Sequence, residues 1–306
     1  MALNADTLLD RLYLKSQITK WRVLAILFAV IAIIAFTERY SSHSPIEKDY
    51  VARISFDGII DDDQKIYDML DDIGDNHKIK AVIVSLDTPG GSAVGGEEVY
   101  LRLRQLAQKK PVVAVMRSIA ASAGYMVALG ADRIYAREGT ITGSIGVLIE
   151  AAEVTDLAAK IGVTPIIIKS SPLKGSPSPF EKATPEAKEV LHDVIMDFYD
   201  HFVAIVAARR GLPHDKVVAL ADGRVYSGTR AVADKLVDAI GGEDEAMQWL
   251  VSAKHVREGL DIKDVQPEKE TSLLDQLTQD FAGIFFQKSR SVMLDGLVAV
   301  WHPDLH

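Results

Sequence analysis

The sequence predicts an α/β fold built on a mainly parallel sheet. Three features predict it. Short apolar runs of strand length alternate with helix-length amphipathic segments from residue 50 to about 254, the rhythm of βαβ units. Several runs are continuously apolar, as strands covered on both faces require. One of them, P-V-V-A-V at residues 111–115, passes directly into M-R-S-I-A-A-S-A-G-Y at 116–125, which reads as a strand-to-helix turn around Ser122.

The 306 residues allow one large domain of about 200–250 residues with appendages, or two domains. Hydrophobic residues make up 48% and charged residues 25%, enough for a core. Acidic residues outnumber basic ones, 43 to 34, and no Lys/Arg-rich run with interleaved aromatics occurs. Nucleic acid is therefore not expected as a partner. There is no cysteine, which excludes thiol catalysis, cysteine-based zinc sites and disulfides.

Residues 1–22 carry Arg11, Lys15, Lys20 and Arg22 against Asp6 and Asp10, and residues 23–36 are wholly apolar. With Trp21, Arg22 and Thr37 the segment has 17 residues, roughly 25 Å of helix, at the short end for spanning a bilayer. A cleaved signal peptide is the alternative. No small-x-small site follows Phe36, and Glu38, Arg39 and Pro45 come instead. An uncleaved anchor at 23–37 is expected, with the basic side cytoplasmic and the remainder on the other side of the membrane. Residues 38–49 read as a linker.

The alternation then begins. Residues 50–56 (Y-V-A-R-I-S-F) read as a strand and 63–73 as a helix. Residues 80–86 form a buried strand, 87–92 a loop, and 97–108 an amphipathic helix. The strand leading to Ser122 follows. Strand and helix keep alternating at 133–136, 140–149, 155–161 and 164–169. Residues 170–183 hold Pro172, Pro177, Pro179 and Gly175 and read as loop. Thr184 and Pro185 then open a long helix to about Arg210. Gly211 and Pro213 break it before a short helix, a brief strand at 223–226, a helix capped by Ser227 or Thr229, and another to about Lys254. Residues 273–286 are amphipathic, with Leu274, Leu277, Phe281, Ile284 and Phe285 on one stripe.

A serine at a strand-to-helix turn gains two things. Its hydroxyl stands clear of the sheet, and the helix start offers free N–H groups and a positive dipole end. Both suit a nucleophile beside an oxyanion site. Ala120-x-Ser122-x-Gly124 is one substitution from G-x-S-x-G. Small residues around a serine more often mean tight helix–strand packing than catalysis. The serine needs something to take its proton. None of the eight histidines lies between His77 and His192, so a Ser-His-Asp triad finds little support in the core. A lysine can serve if neutral, and its free value near about 10.4 must then fall by several units through desolvation. Lys174, in the proline-bounded loop, is the natural candidate. Lys160, Lys169 and Lys182 are rivals. Ser171-Pro-Leu-Lys174 also matches S-x-x-K, but its prolines argue against the helical turn that pattern needs. Pro89-Gly90-Gly91 follows a buried strand, and its glycines allow close backbone approach. It is a candidate oxyanion loop or a plain turn. There is no G-x-G-x-x-G and no Gly-Lys-Ser/Thr, so no phosphate-bearing cofactor is implied.

Together these segments resemble the signal peptide peptidase A family, the serine–lysine proteases of the S49 group. The resemblance runs through V-S-L-D-T-P-G-G-S at 84–92, the 118–125 turn, D-R-I-Y-A at 132–136, and I-T-G-S-I-G-V at 141–147. It continues through I-I-K-S at 167–170 with Lys174 downstream, and A-D-G-R-V-Y at 221–226. It covers about residues 50–250, with the single N-terminal anchor of short bacterial members. It implies a protease domain at 50–256 and a C-terminal amphipathic extension at 257–306. It implies Ser122 as nucleophile, Lys174 as general base, Ser144 as the residue orienting the lysine, and the N–H groups of Gly91 and Ala123 as oxyanion donors. The implied fold is a Clp/crotonase-like spiral of βαβ units, assembling as a homo-oligomeric ring such as a tetramer, with no cofactor or metal.

One departure stands out. Many members have Ser-Gly-Gly where this chain has Ser122-Ala123-Gly124, and the extra methyl is expected to bear on the size of the substrate pocket. The implied reaction is acyl transfer through an acyl-enzyme. The implied substrates are cleaved signal peptides and other extended hydrophobic segments at the face of the bacterial inner membrane, with the protease domain on the periplasmic side. A crotonase-type acyl-CoA enzyme and a non-catalytic membrane scaffold are the rival readings. The anchor and the Ser122/Lys174 pair count against the first, and the intact Ser122, Ser144 and Lys174 set against the second. The stripe at 273–286 is expected to pack on the domain or on a neighbouring subunit.

Overall fold

The computed structural model describes residues 20–22, 24–30 and 48–267, together with the backbone of 298–300. The chain divides into two units, residues 1–48 and 49–306. In the first, residues 20–22 and 24–30 are helical and exposed. The rest of the anchor expected at 23–37 lies outside the described residues. Among the described residues no helix is long and apolar enough to cross a membrane.

The second unit is built on a central sheet. β1 (Tyr50–Ile60) is followed by α1 (Gln64–Asp75), β2 (Ile79–Ser92), α2 (Ala93–Lys109) and β3 (Val112–Ala121), and the three strands lie parallel. The caps are local. Asp63 accepts from the Lys65 N–H at 2.9 Å, and the Ser92 hydroxyl accepts from the Gly95 N–H at 3.1 Å, so α2 starts four residues before the expected Glu97. α3 (Ala123–Ala128) follows β3 at once, then β4 (Arg133–Ala136) and β5 (Ile141–Gly143). β3 is a branch point: residues 113–116 pair with β4 and residues 119–121 with β5.

α4 (Thr155–Lys160), α5 (Pro185–Arg210) and α6 (His214–Leu220) come next. Thr184 caps α5 through the Ala187 N–H at 3.1 Å, Pro185 opens it, and Gly211 at φ 60° closes it, as its sequence predicts. β6 (Val225–Ser227), α7 (Gly228–Ala233), β7 (Ala239–Ile240), α8 (Glu243–Lys254), β8 (Asp261–Asp264) and β9 (Val298–Val300) complete the order. The main path of the sheet runs β6-β5-β3-β2-β1-β8, with β4 joining β3 to β7 and β9 lying on β2. The pairs β5–β6 and β2–β9 are antiparallel.

Alternation along the strands makes two cores. Ile54, Val84, Ala114 and their like face α1, α2, α3 and α5, where Leu70, Leu103, Tyr125 and Phe202 meet them. Val51, Ile83 and Val113 face the smaller core under Ala246 and Leu250 of α8. The central strands are therefore buried on both faces, which accounts for their continuous apolar sequence.

Three expectations are corrected. Residues 87–92 are not loop but the end of β2, because Ile59 and Ile60 of β1 pair with Gly90 and Gly91. Residues 164–169 form no strand: nothing pairs with them among the described residues, and Ile166 and Ile168 stand 86% and 93% exposed. Of residues 140–149 only β5 is regular strand. The polar β8 was unforeseen. It pairs with β1 and is fixed there by Arg53, which bonds Asp264 at 2.6 and 2.8 Å and Glu243 at 3.0 and 3.1 Å. The segment 273–286 lies outside the described residues.

Candidate active site

Ser122 follows β3 directly and stands at the N-cap position of α3. Its backbone sits at φ 55° and ψ −120°, a conformation that costs a non-glycine residue about 1–3 kcal/mol. The surroundings enforce it. The Ser122 N–H donates to the Gly143 carbonyl at 2.8 Å, and the Met126 N–H closes the first turn on the Ser122 carbonyl at 3.0 Å. Just past the other end of this short helix Arg209 donates to the carbonyl of the C-cap residue Leu129 at 2.8 Å and to that of Ala131 at 2.9 Å. Burial lowers the Arg209 pKa from its ordinary value. Ser122 is 1% exposed, and its hydroxyl makes no hydrogen bond to the described residues.

Ser144 lies alongside, because β5 pairs with β3 through Ala121 opposite Gly143. It too has positive φ, 48°, and its N–H donates to the Arg224 carbonyl at 2.8 Å. Gly143, at φ 82°, has no room for a side chain: a β-carbon there would lie 2.4 Å from the ring of Tyr226. The Tyr226 hydroxyl donates to the Leu220 carbonyl at 2.8 Å. The motifs at 141–147 and 221–226 thus meet as one corner beneath the two serines.

Gly91 lies in β2, where a β-carbon would stand 2.0 Å from the Ile60 carbonyl oxygen. Only glycine fits. Thr88 ties this segment to the serine turn. Its backbone pairs with Ala120, its hydroxyl bonds the Gly90 N–H at 3.1 Å and the Gly90 carbonyl at 3.2 Å, and its methyl faces Gly124, where a β-carbon would lie 2.6 Å away. Gly90 itself is at φ 119°. Thr88 was not singled out from the sequence. The signal was present, since a threonine two residues before a positive-φ glycine can clamp its own turn.

Ala123 opens α3 and is fully buried. Its methyl is turned to α2: a β-carbon on Gly96 would lie 2.8 Å from the Ala123 β-carbon. The extra methyl therefore takes its room from the packing of α2 on α3, and Gly96 supplies that room.

Lys174 stands apart from this cluster. It is exposed in the loop between residues 161 and 184, its N–H donates to the Ser171 carbonyl at 3.1 Å, and its ammonium group bonds neither serine. The rivals sort by their partners. Lys169 is held by Glu181 and bonds Ser176 at 3.1 Å, and Lys182 lies 3.9 Å from Asp156. Both ammonium groups are thus turned to carboxylates and not to Ser122 or Ser144. Lys160 ends α4. Among the described residues no histidine bonds Ser122; His201 is taken by Glu97 at 2.8 Å.

Fold and site together define a class: a mixed α/β protein whose buried serine stands on a strained strand-to-helix turn, the geometry that presents a nucleophile in other α/β enzymes. The comparisons with known proteins narrow it. The model of peptidase family S49 matches residues 104–257, half of the chain, and the chain belongs to that family. A candidate protease of Synechocystis is 42% identical over 57% of this chain and 63% of its own length. A candidate signal peptide peptidase SppA of Enterococcus faecium is 35% identical over 62% of this chain and 56% of its own. Protease 4 of Haemophilus influenzae is 34% identical over 67% and 34%. The chain thus spans about six tenths of the first two relatives' length and a third of the last. A solved membrane-bound stomatin-specific protease matches with a TM-score of 0.46 and 20% identity, covering 73% of this chain and all of that one.

Proposed function

We propose that this chain is a serine endopeptidase acting through Ser122 and Lys174. One observation carries the reading. In a chain of peptidase family S49, Ser122 is held at φ 55° between a buried strand and a helix, with a hydroxyl that bonds none of the described residues and Ser144 beside it. Ser122 Oγ attacks the carbonyl carbon of a peptide bond while Lys174 Nζ takes its proton. The N–H groups of Gly91 and Ala123 stabilise the oxyanion. The lysinium then gives its proton to the leaving amine, and water, deprotonated by the same lysine, releases the acyl group from Ser122. Ser144 orients the lysine amine.

A lysine base calls for burial, and one chain leaves Lys174 exposed. Its loop carries apolar side chains that are exposed as well, among them Ile161, Ile166 and Ile168, and Leu157 of the preceding α4 is exposed too. We place the missing burial in a homo-oligomeric ring, where a neighbouring copy covers this face and Lys174 of one copy serves Ser122 of the next. On this reading the sheet, branched at β3, is the core of a Clp/crotonase-like spiral. The segment 23–37 anchors the chain in the bacterial inner membrane with the protease domain outside the cytoplasm. Its substrates are signal peptides and other extended apolar segments at the lipid face.

A fluorophosphonate probe tests the reading. The full chain in detergent is expected to be labelled at Ser122, and Ser122→Ala to abolish both labelling and peptide turnover. A crotonase-type enzyme would hydrolyse or isomerise acyl-CoA without labelling. A folded chain that is never labelled would contradict the assignment.

A further inference from the structure

β9 lies against one particular stretch of β2. It runs antiparallel to it, with Val300 opposite Gly90, Ala299 opposite Gly91 and Val298 opposite Ser92. The other edge of that stretch is already taken, since Ile59 and Ile60 of β1 pair with Gly90 and Gly91. A strand has two hydrogen-bonding edges, so β9 occupies the edge that faces β3. β3 uses that edge only as far as Thr88, opposite Ala120. Two residues later the chain turns away at Ser122 into α3. β9 therefore continues the sheet into the space that β3 leaves beside Ser122.

An extended peptide whose carbonyl is to reach Ser122 and the Gly91 N–H needs that same edge, because strand addition is how sheets recognise extended peptides. The chain's own sequence there suits the role: residues 291–301 read S-V-M-L-D-G-L-V-A-V-W, apolar save for Ser291 and Asp295.

We infer that residues 298–300 are an internal competitor for the substrate edge of β2. In the resting chain they close Gly90, Gly91 and Ser92 to extended peptides, and a substrate must displace them. The inference rests on the peptidase reading above. The closure is reversible by construction: three residue pairs hold it, while tethering gives the segment an effective concentration of about a millimolar. A competitor of this kind raises the apparent KM and leaves kcat unchanged.

The test compares three full-fold proteins on a fluorogenic apolar peptide: the native chain, a chain ending at residue 297, and Ala299→Pro. The proline keeps the tail but removes an N–H from the ladder. Both altered chains are expected to lower KM by about three- to tenfold at constant kcat and to speed amide exchange at Gly90–Ser92. A synthetic peptide of residues 292–306 should inhibit the shortened chain competitively. Should shortening disturb folding, seen by circular dichroism, Ala299→Pro decides. Retained turnover with unchanged KM overturns the inference alone. Absence of turnover and of Ser122 labelling in all three proteins overturns the peptidase reading, and the inference with it.

Discussion

Around Ser122 the chain is buried and bonded; around Lys174 it is exposed and irregular. Ser122 is 1% exposed and Ser144 8%, and both backbones are pinned in positive φ by carbonyls of other segments. From residue 161 to 184 the chain has no helix or strand, and Ile166 and Ile168 point into solvent. The difference teaches that one chain suffices to build the corner around Ser122 and Ser144, but leaves the loop of Lys174 uncovered. Strain at Ser122 persists only because the core over-determines it. A loop with few bonds of its own can take its working shape from a neighbour.

The same substitution should read out the two regions differently. Gly91→Ala puts a β-carbon 2.0 Å from the Ile60 carbonyl oxygen, and is expected to cost about 3 kcal/mol or more and to abolish activity. Gly175→Ala, in the lysine loop, meets no atom within 4 Å at φ 69°, and is expected to cost about 1 kcal/mol. Urea midpoints measure both. Similar losses at the two sites would erase the contrast.

Thr88 sharpens the comparison from inside the rigid half. Thr88→Val keeps the methyl on Gly124 and drops the hydroxyl that clamps Gly90. It is expected to lower kcat by about 10- to 100-fold with KM little changed, as a misaimed oxyanion donor would. Thr88→Ser should keep most of kcat. Equal kcat in Thr88→Val and the native chain would remove Thr88 from the alignment of Gly91.

A smaller effect tests how the helix start is packed. Gly96→Ala drives a methyl to 2.8 Å from the Ala123 β-carbon, at an expected cost of about 1–3 kcal/mol. Adding Ala123→Gly should return most of it, and a double-mutant cycle reads the coupling. Additive costs would contradict the contact. Smallest in stability is Ile168→Asp, at a side chain 93% exposed. It should leave the urea midpoint within about 0.5 kcal/mol of the native chain, yet shift sedimentation toward smaller species and lower turnover. An unchanged assembly would remove this face from the ring contact.

Much of this contrast was legible in the sequence. Alternation gave the first part of β1, apolar runs gave the first parts of β2 and β3, the strand–helix rhythm gave β4, and the cap at Thr184 with Gly211 beyond gave α5 almost to the residue. The serine turn was legible because small residues and a strand end coincide at Ser122. What escaped was set by pairing across the chain. The end of β2 looks like a turn in sequence, since Asp87, Pro89, Gly90 and Gly91 are turn residues, and only the partner strand β1 makes it extended. The run at 164–169 looks like a strand because Ile166, Ile167 and Ile168 have the propensity, but among the described residues it has no partner. β8 is too polar to announce itself and is held by Arg53 through Asp264 and Glu243. The hydrogen bond from Arg53 is also the chief cause that lowers the Asp264 pKa.

The account turns on where the base comes from, and mixing two inactive proteins measures that directly. On the proposed reading Ser122→Ala removes the nucleophile and Lys174→Ala the base. Each alone is expected to be folded and inactive. Co-assembled in equal amounts, they should recover about a quarter of native turnover, because about one site in four then joins an intact Ser122 to an intact Lys174 from the neighbouring copy. Failure to recover any turnover in a verified mixed assembly would contradict the account and put both residues of each site on a single chain.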